Sequence, residues 1–202
     1  MLKKTQLQLK RLIDITCSLL LLALFAPAFA VIGAAIALTS TGGVFFRQER
    51  TGRDGRPFRM LKFRTMHADA EARRAGLASR NDSSGHLFKM RDDPRITRVG
   101  RLLRRLSADE LPQLVNVLRG EMSLVGPRPL PVGDSDYEGE ARGRLAARPG
   151  ITGLWQVSGR SELDWDDMVR LDLRYVANWS LGLDFLILAR TIPAVLAARG
   201  AH

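Results

Sequence analysis

Ile15 to Leu38 reads ITCSLLLLALFAPAFAVIGAAIAL, and no charged residue occurs anywhere between residues 15 and 46. A run of this length is sufficient to cross a bilayer as a helix, so a plain transmembrane span is one reading. Two features favour a different geometry. Pro27 lies near the middle of the run, where it removes a backbone donor and bends a helix. Basic residues flank both ends: Lys3, Lys4, Lys10 and Arg11 before it, Arg47 and Arg50 after it. The positive-inside rule places basic flanks on one face, so both ends belong on the same side. A helix that enters, turns at Pro27 and returns satisfies this, provided the freed backbone groups find partners. A third reading takes the basic start, the apolar run and Ala28-Phe29-Ala30 as a secretory signal with its cleavage site.

The 202 residues suffice for one compact domain. The formal charge is +10, and residues 47–119 carry nearly all of the excess. Such a block attracts nucleic acid, anionic lipid or a phosphorylated substrate. A single cysteine, Cys17, forms no intrachain disulfide, and His67, His86 and His202 are not spaced as zinc ligands.

Beyond the apolar run, Val44 to Phe46 and Phe58 to Phe63 read as strands joined by the Thr51–Gly55 turn, a hairpin signal. Residues 67–80 read as a helix, Asn81 to Gly85 as a loop, and Arg95 to Leu106 as a basic amphipathic helix, whole or broken at Gly100. Helix 110–119, a polar acidic loop over 132–144, helix 164–178 and an apolar core or interfacial helix over 184–198 follow. Trp155, Trp165, Tyr175 and Trp179 fit either a membrane interface or buried packing.

Ser107-Ala108-Asp109-Glu110-Leu111-Pro112 admits two readings. One is a capping box, with Ser107 as cap and Glu110 as its partner. Pro112 weakens it, because a helix beginning nearer Asp109 accommodates the proline better. Both acids then sit at a helix mouth near Arg104 and Arg105, where positive surroundings favour an ionised Asp109. Such a carboxylate can attack phosphorus and form an acyl phosphate. Adjacent carboxylates together with phosphate also suit Mg²⁺. Gly126-Pro127-Arg128-Pro129 locks the backbone around one arginine, either as a phosphate-binding fork or as an ordinary rigid turn. Lys62 and Arg64 share one face of a strand. The glycine-punctuated stretch Gly150 to Arg160 closes over a ligand, or is a strand with flanking turns. No Walker loop or dinucleotide fingerprint is present.

Taken in order, these segments resemble the bacterial sugar transferases, the monotopic phosphoglycosyl transferases. The resemblance rests on the apolar hairpin, Phe45-Phe46-Arg47-Gln48-Glu49-Arg50, Lys62-Phe63-Arg64-Thr65-Met66, Asp109-Glu110-Leu111-Pro112-Gln113-Leu114, Gly126-Pro127-Arg128-Pro129 and Gly153-Leu154-Trp155-Gln156-Val157-Ser158-Gly159-Arg160. It implies an α/β fold: a monotopic domain with a re-entrant helix region over 1–43, a catalytic unit over 44–202, a β-hairpin and interfacial amphipathic helices. It implies location at the cytoplasmic face of the bacterial inner membrane, in surface polysaccharide assembly. The implied reaction moves a hexose-1-phosphate from a UDP-sugar to polyprenyl phosphate and releases UMP. Asp109 is the implied nucleophile, and Glu110, with Asp109, the acid associated with Mg²⁺. Lys62, Arg64, Arg104, Pro127, Arg128, Gln156 and Arg160 are the implied phosphate- and substrate-binding positions, with Asp172 and Asp184 as further acids.

The implied partners are donor, lipid carrier and membrane, not nucleic acid, and the oligomeric state is left open, a homodimer included. Where the family often has Ser-Pro at the helix break, this chain has Ala26-Pro27. It looks like the catalytic unit of larger members, with a tail closest to those using glucose- or galactose-1-phosphate. A membrane-tethered nucleic-acid-binding protein is the rival reading, and it gives Asp109 and Glu110 no role.

Overall fold

In the computed structural model the described residues are 2–74, 76, 90, 92–132, 139–159 and 163–196. Helix α1 runs from Leu2 to Thr39 with Pro27 inside it. Its segment Lys4–Thr39 has a mean hydropathy of 2.6 in its most apolar window and is long and apolar enough to cross a membrane. Leu20, Leu24, Val31 and Leu38 are exposed on it. Its two ends are not free. Lys10, Arg11 and Asp14 bond to the folded body, while Phe29, Ile32 and Ile36 pack beside Phe63 and Leu103. Cleavage after Ala30 would remove most of these contacts.

Strands β1 (Phe45–Thr51) and β2 (Pro57–Phe63) form the expected antiparallel hairpin, with Phe45 opposite Phe63 and Thr51 opposite Pro57. The turn places Asp54 at φ 57° and Gly55 at φ 79°, left-handed conformations that suit these two residue types. Phe58 and Met60 point inward from β2, and Lys62 continues their row. Phe63, on the opposite face, stacks on Phe45 at 5.4 Å and meets Phe29 edge-on at 5.1 Å. Burying its ring stabilises the seam with α1 by about 2 kcal/mol.

Helices α2 (Ala70–Arg74), α3 (Arg98–Arg105) and α4 (Gln113–Arg119) follow. The first is shorter than the 67–80 expected, and residues 75 and 77–80 lie outside the described set, as does the expected loop 81–85. β3 (Ser123–Val125) pairs with β4 (Gly150–Thr152) in parallel, an arrangement that no sequence pattern announced. Gly126 permits it: a Cβ there would come within 2.2 Å of Arg148 O. Residues 139–146 form a 3₁₀ helix that overlaps the end of the stretch expected as a loop over 132–144. Helices α5 (Trp165–Ala177) and α6 (Leu181–Leu196) complete the chain. The main core gathers Phe58, Met60, Val117, Met122, Tyr175 and Ile187 between β2, α4, β3, α5 and α6.

Candidate active site

α3 starts where Thr97 accepts a hydrogen bond from Gly100 N at 2.9 Å, a side-chain N-cap. It ends in Arg104 and Arg105. The chain then reverses at Ser107, whose φ of 53° is left-handed, and Ala108–Glu110 forms a 3₁₀ turn before α4. Pro112 is the N-cap of α4, where its missing N–H costs nothing. Ser107 makes no side-chain cap bond, so the capping box does not form. Glu110 is engaged elsewhere.

Glu110 is held by two cations from separate elements. Lys62 Nζ lies 2.8 Å from its Oε1. Arg128 donates from Nη2 to Oε1 at 2.5 Å and from Nη1 to Oε2 at 3.1 Å. Burial pushes Glu110 upward, but Arg128 and Lys62 more than reverse this and hold its carboxyl well below the usual range. Burial also lowers the Lys62 ammonium, against the pull of Glu110.

Asp109, beside it, is 7% exposed. Burial is the largest influence and raises its pKa. Glu110 adds to the rise, while Lys62, Arg104 and Arg128 oppose it. The nearby cations favour an ionised Asp109 as expected, but desolvation outweighs them and the net direction is upward. Arg104 is oriented by its Nε bond to Thr65 Oγ1 at 3.0 Å.

The Gly126–Pro129 loop is pinned along its length. Gly126 N donates to Thr152 O and Gly150 N to Pro127 O, both at 2.9 Å. Arg144 Nη2 reaches Arg128 O at 3.2 Å, and Arg50 Nη1 reaches Pro129 O at 3.0 Å. Arg144 is paired with Asp172 at 2.6 Å, both side chains fully enclosed. Burial raises the Asp172 carboxyl to about 6, with Arg144 opposing.

Lys62, Arg104, Asp109, Glu110 and Arg128 thus converge, with Pro127 shaping the loop. Other expected residues lie elsewhere. Arg64 donates to Gly43 O at 2.8 Å and lies over the Phe46 ring, so its guanidinium is engaged at the start of the hairpin. Gln156 donates to Ile151 O at 3.0 Å, inside a strand and 3₁₀ turn. Asp172 acts on the loop through Arg144. Asp184 accepts from Lys10 at 2.6 Å, Tyr175 at 2.8 Å and Trp179 at 3.1 Å. Arg160 lies outside the described residues.

Asn116 was missed by sequence reasoning. Its side chain accepts from Leu61 N at 3.0 Å and donates to Arg59 O at 2.8 Å, fastening α4 to β2 and hence Glu110 to Lys62. A buried asparagine among Leu114, Val115 and Val117 was the available signal.

Lys62, Arg104 and Arg128 are basic residues gathered about the two carboxylates Asp109 and Glu110. They make a compact cluster of opposite charges, with the Glu110 carboxylate engaged by Lys62 and Arg128 and the Asp109 carboxylate poorly solvated. Among the described residues no three acidic, His or Cys side chains cluster as metal ligands. Asp109 and Glu110 alone suit a cation that takes one or two carboxylates and completes its shell from phosphate and water.

A family model described as bacterial sugar transferase matches residues 5–198. The chain is similar to the galactosyl transferase CpsE of Streptococcus agalactiae, 43% identical over 98% of this chain and 44% of that protein. It is 40% identical to the exopolysaccharide production protein ExoY of Sinorhizobium fredii, over 96% of this chain and 88% of the relative. The UDP-glucose:undecaprenyl-phosphate glucose-1-phosphate transferase of Caulobacter vibrioides is 44% identical over 96% of this chain and 72% of its own length. The chain thus spans less than half of the streptococcal relative and most of the other two. With the family model matching from Thr5 to Ala198, the chain belongs to the bacterial sugar transferase family.

Proposed function

We propose that the chain is a phosphoglycosyl transferase that moves a hexose-1-phosphate from a UDP-sugar to polyprenyl phosphate. The observation that carries this reading is the buried Asp109 carboxylate beside Glu110, Lys62, Arg104 and Arg128. In the first step an Asp109 oxygen attacks the β-phosphorus of the donor. The phosphoanhydride bond breaks and UMP leaves with the bridging oxygen. In the second step a phosphate oxygen of the polyprenyl carrier attacks the same phosphorus, and the aspartyl carboxylate is released. Poor solvation makes Asp109 the stronger nucleophile. Lys62, Arg104 and Arg128 bind the donor's phosphate oxygens and stabilise the charge that develops on them. Mg²⁺, held by Asp109 and Glu110 together with the donor's phosphates, would add neutralising charge.

The membrane reading is that α1 is re-entrant at Pro27, with the catalytic unit at the cytoplasmic face of the inner membrane. It is supported by basic flanks at both ends of the apolar run and by contacts from both ends of α1 to one folded body. Holding a soluble donor and a lipid acceptor at one surface is a positioning problem that such an anchor solves. The names of the relatives support a glucose or galactose donor and a role in exopolysaccharide assembly.

The test is purified protein with UDP-glucose or UDP-galactose, Mg²⁺ and polyprenyl phosphate. UMP release and a mass adduct on Asp109 with donor alone are expected. Unchanged UMP release by Asp109→Asn would defeat the nucleophile assignment.

A further inference from the structure

One turn of α1, Lys10 to Asp14, holds the supports of both halves of the site. Arg11 reaches the C-terminal end of α4, donating from Nη1 to Val117 O at 2.6 Å and from Nη2 to Leu118 O at 2.8 Å. The last carbonyls of a helix lack partners within it, and a cation there also opposes the helix dipole. α4 is only seven residues long, and Asp109–Glu110 lead directly into its other end. A grip on one end therefore places the carboxylates at the other.

Asp14 and Lys10 hold β3. Asp14 Oδ1 accepts from Leu124 N at 3.0 Å and from Ser123 Oγ at 3.1 Å. β3 pairs with β4 through Ser123 and Val125, so Leu124 N faces the other edge, and Asp14 supplies the acceptor that a further strand would have given. Lys10 Nζ donates to Val125 O at 3.1 Å, and Asp184 neutralises it. Val125 is followed at once by Gly126-Pro127-Arg128. The same turn of α1 therefore holds the strand that delivers Arg128 and the helix that follows Glu110. Asp14 is 2% exposed, and Lys10 and Arg11 are bonded to the body instead of pointing outward.

We propose that Lys10, Arg11 and Asp14 are positioning residues of the transfer reaction. This turn of the membrane helix sets the spacing between Asp109–Glu110 and Arg128, so α1 belongs to the catalytic framework as well as to the anchor. The inference rests on Asp109 being the reacting carboxylate. A segment whose charges served only membrane orientation would tolerate any substitution that preserved charge.

The test uses the full chain in bilayer nanodiscs, with UMP release, melting midpoint and membrane association measured together. Asp14→Ala and Arg11→Gln are expected to lower kcat by about 10- to 100-fold, with donor KM and membrane association little changed. Asp14→Asn keeps the Oδ1 acceptor and is expected to restore most of the rate. Arg11→Lys keeps the charge but not the fork, and is expected to fall between Arg11→Gln and wild type. Leu20→Ala, on an exposed face, serves as the control at wild-type rate. A folded Arg11→Lys or Asp14→Ala protein with wild-type kcat overturns the inference. If the stronger variants fail to fold, Arg11→Lys alone decides it. An active Asp109→Asn defeats the underlying reading instead, whatever the α1 variants do.

Discussion

Glu110 and Arg128, 18 residues apart, meet through both carboxylate oxygens, at 2.5 Å and 3.1 Å. They arrive from opposite sides of β3, one from the turn before α4 and the other from the loop after β3. Lys62 closes the third side from β2. The pairing keeps a guanidinium fixed beside Asp109, so on the proposed mechanism little reorganisation is needed when phosphate charge develops.

Arg128→Lys keeps the charge but loses the two-pronged geometry. UMP release is expected to fall by about 10²- to 10³-fold in kcat, the scale of one preorganised donor. Steady-state kinetics with saturating donor checks this, and a drop confined to KM would contradict it.

Burial raises the pKa of Asp109, and on the proposed mechanism the carboxyl must be ionised to attack. The acid limb of kcat/KM should therefore lie above the ordinary aspartate value of 3.8. Stability moves in the opposite sense. The protonated form is favoured in the folded state, so the contribution is fully present below the unfolded pKa and is lost as pH rises through the folded one. Asp109→Asn is therefore expected to melt higher than wild type at pH 8, with the gap closing towards pH 4. A constant gap in melting scans across that range would refute this.

The Arg144–Asp172 pair is enclosed on both sides. Arg144→Met leaves a buried carboxylate without its counter-charge, which is expected to cost about 3–5 kcal/mol at pH 8. With its ordinary partner, Asp172 already sits at about 6. Its contribution is thus present below 3.8 and lost as pH rises through about 6. Without Arg144 the folded value rises further, so the deficit should shrink at pH 5. Denaturation midpoints of wild type and variant at the two pH values measure it.

At Gly100 an added Cβ would lie 2.0 Å from Thr65 O. Gly100→Ala must push α3 away from Thr65, breaking the Thr97 N bond to Thr65 O and the Arg104 bond to Thr65 Oγ1. A loss of about 1–3 kcal/mol in stability is expected, together with reduced UMP release. An unaltered melting point would show that α3 yields without cost.

Both oxygens of Glu110 are engaged by cations, and among the described residues no three-ligand cluster is present. Mg²⁺ should bind weakly alone and tightly only with a UDP-sugar supplying phosphate oxygens. Calorimetry with Mg²⁺ alone and with donor present compares the two. Saturable binding to the protein alone would contradict this expectation.

Local order determined what could be read directly. The apolar run, the alternation of β2, the turn at Asp54-Gly55 and the helical periods of α5 and α6 each arise from neighbours in sequence. The motifs around Asp109 and Arg128 were legible because prolines and adjacent acids are conspicuous in a short stretch. Tertiary structure alone decided that Arg64 bonds to Gly43 O, that the Ser107 side chain makes no cap bond and that Asp184 meets Lys10. It also decided that burial, not the neighbouring cations, sets the direction of Asp109. The bonds of Lys10, Arg11 and Asp14 span more than a hundred residues. Desolvation depends on everything packed around a group. Neither quantity has a local period, so neither can be written in a stretch of sequence.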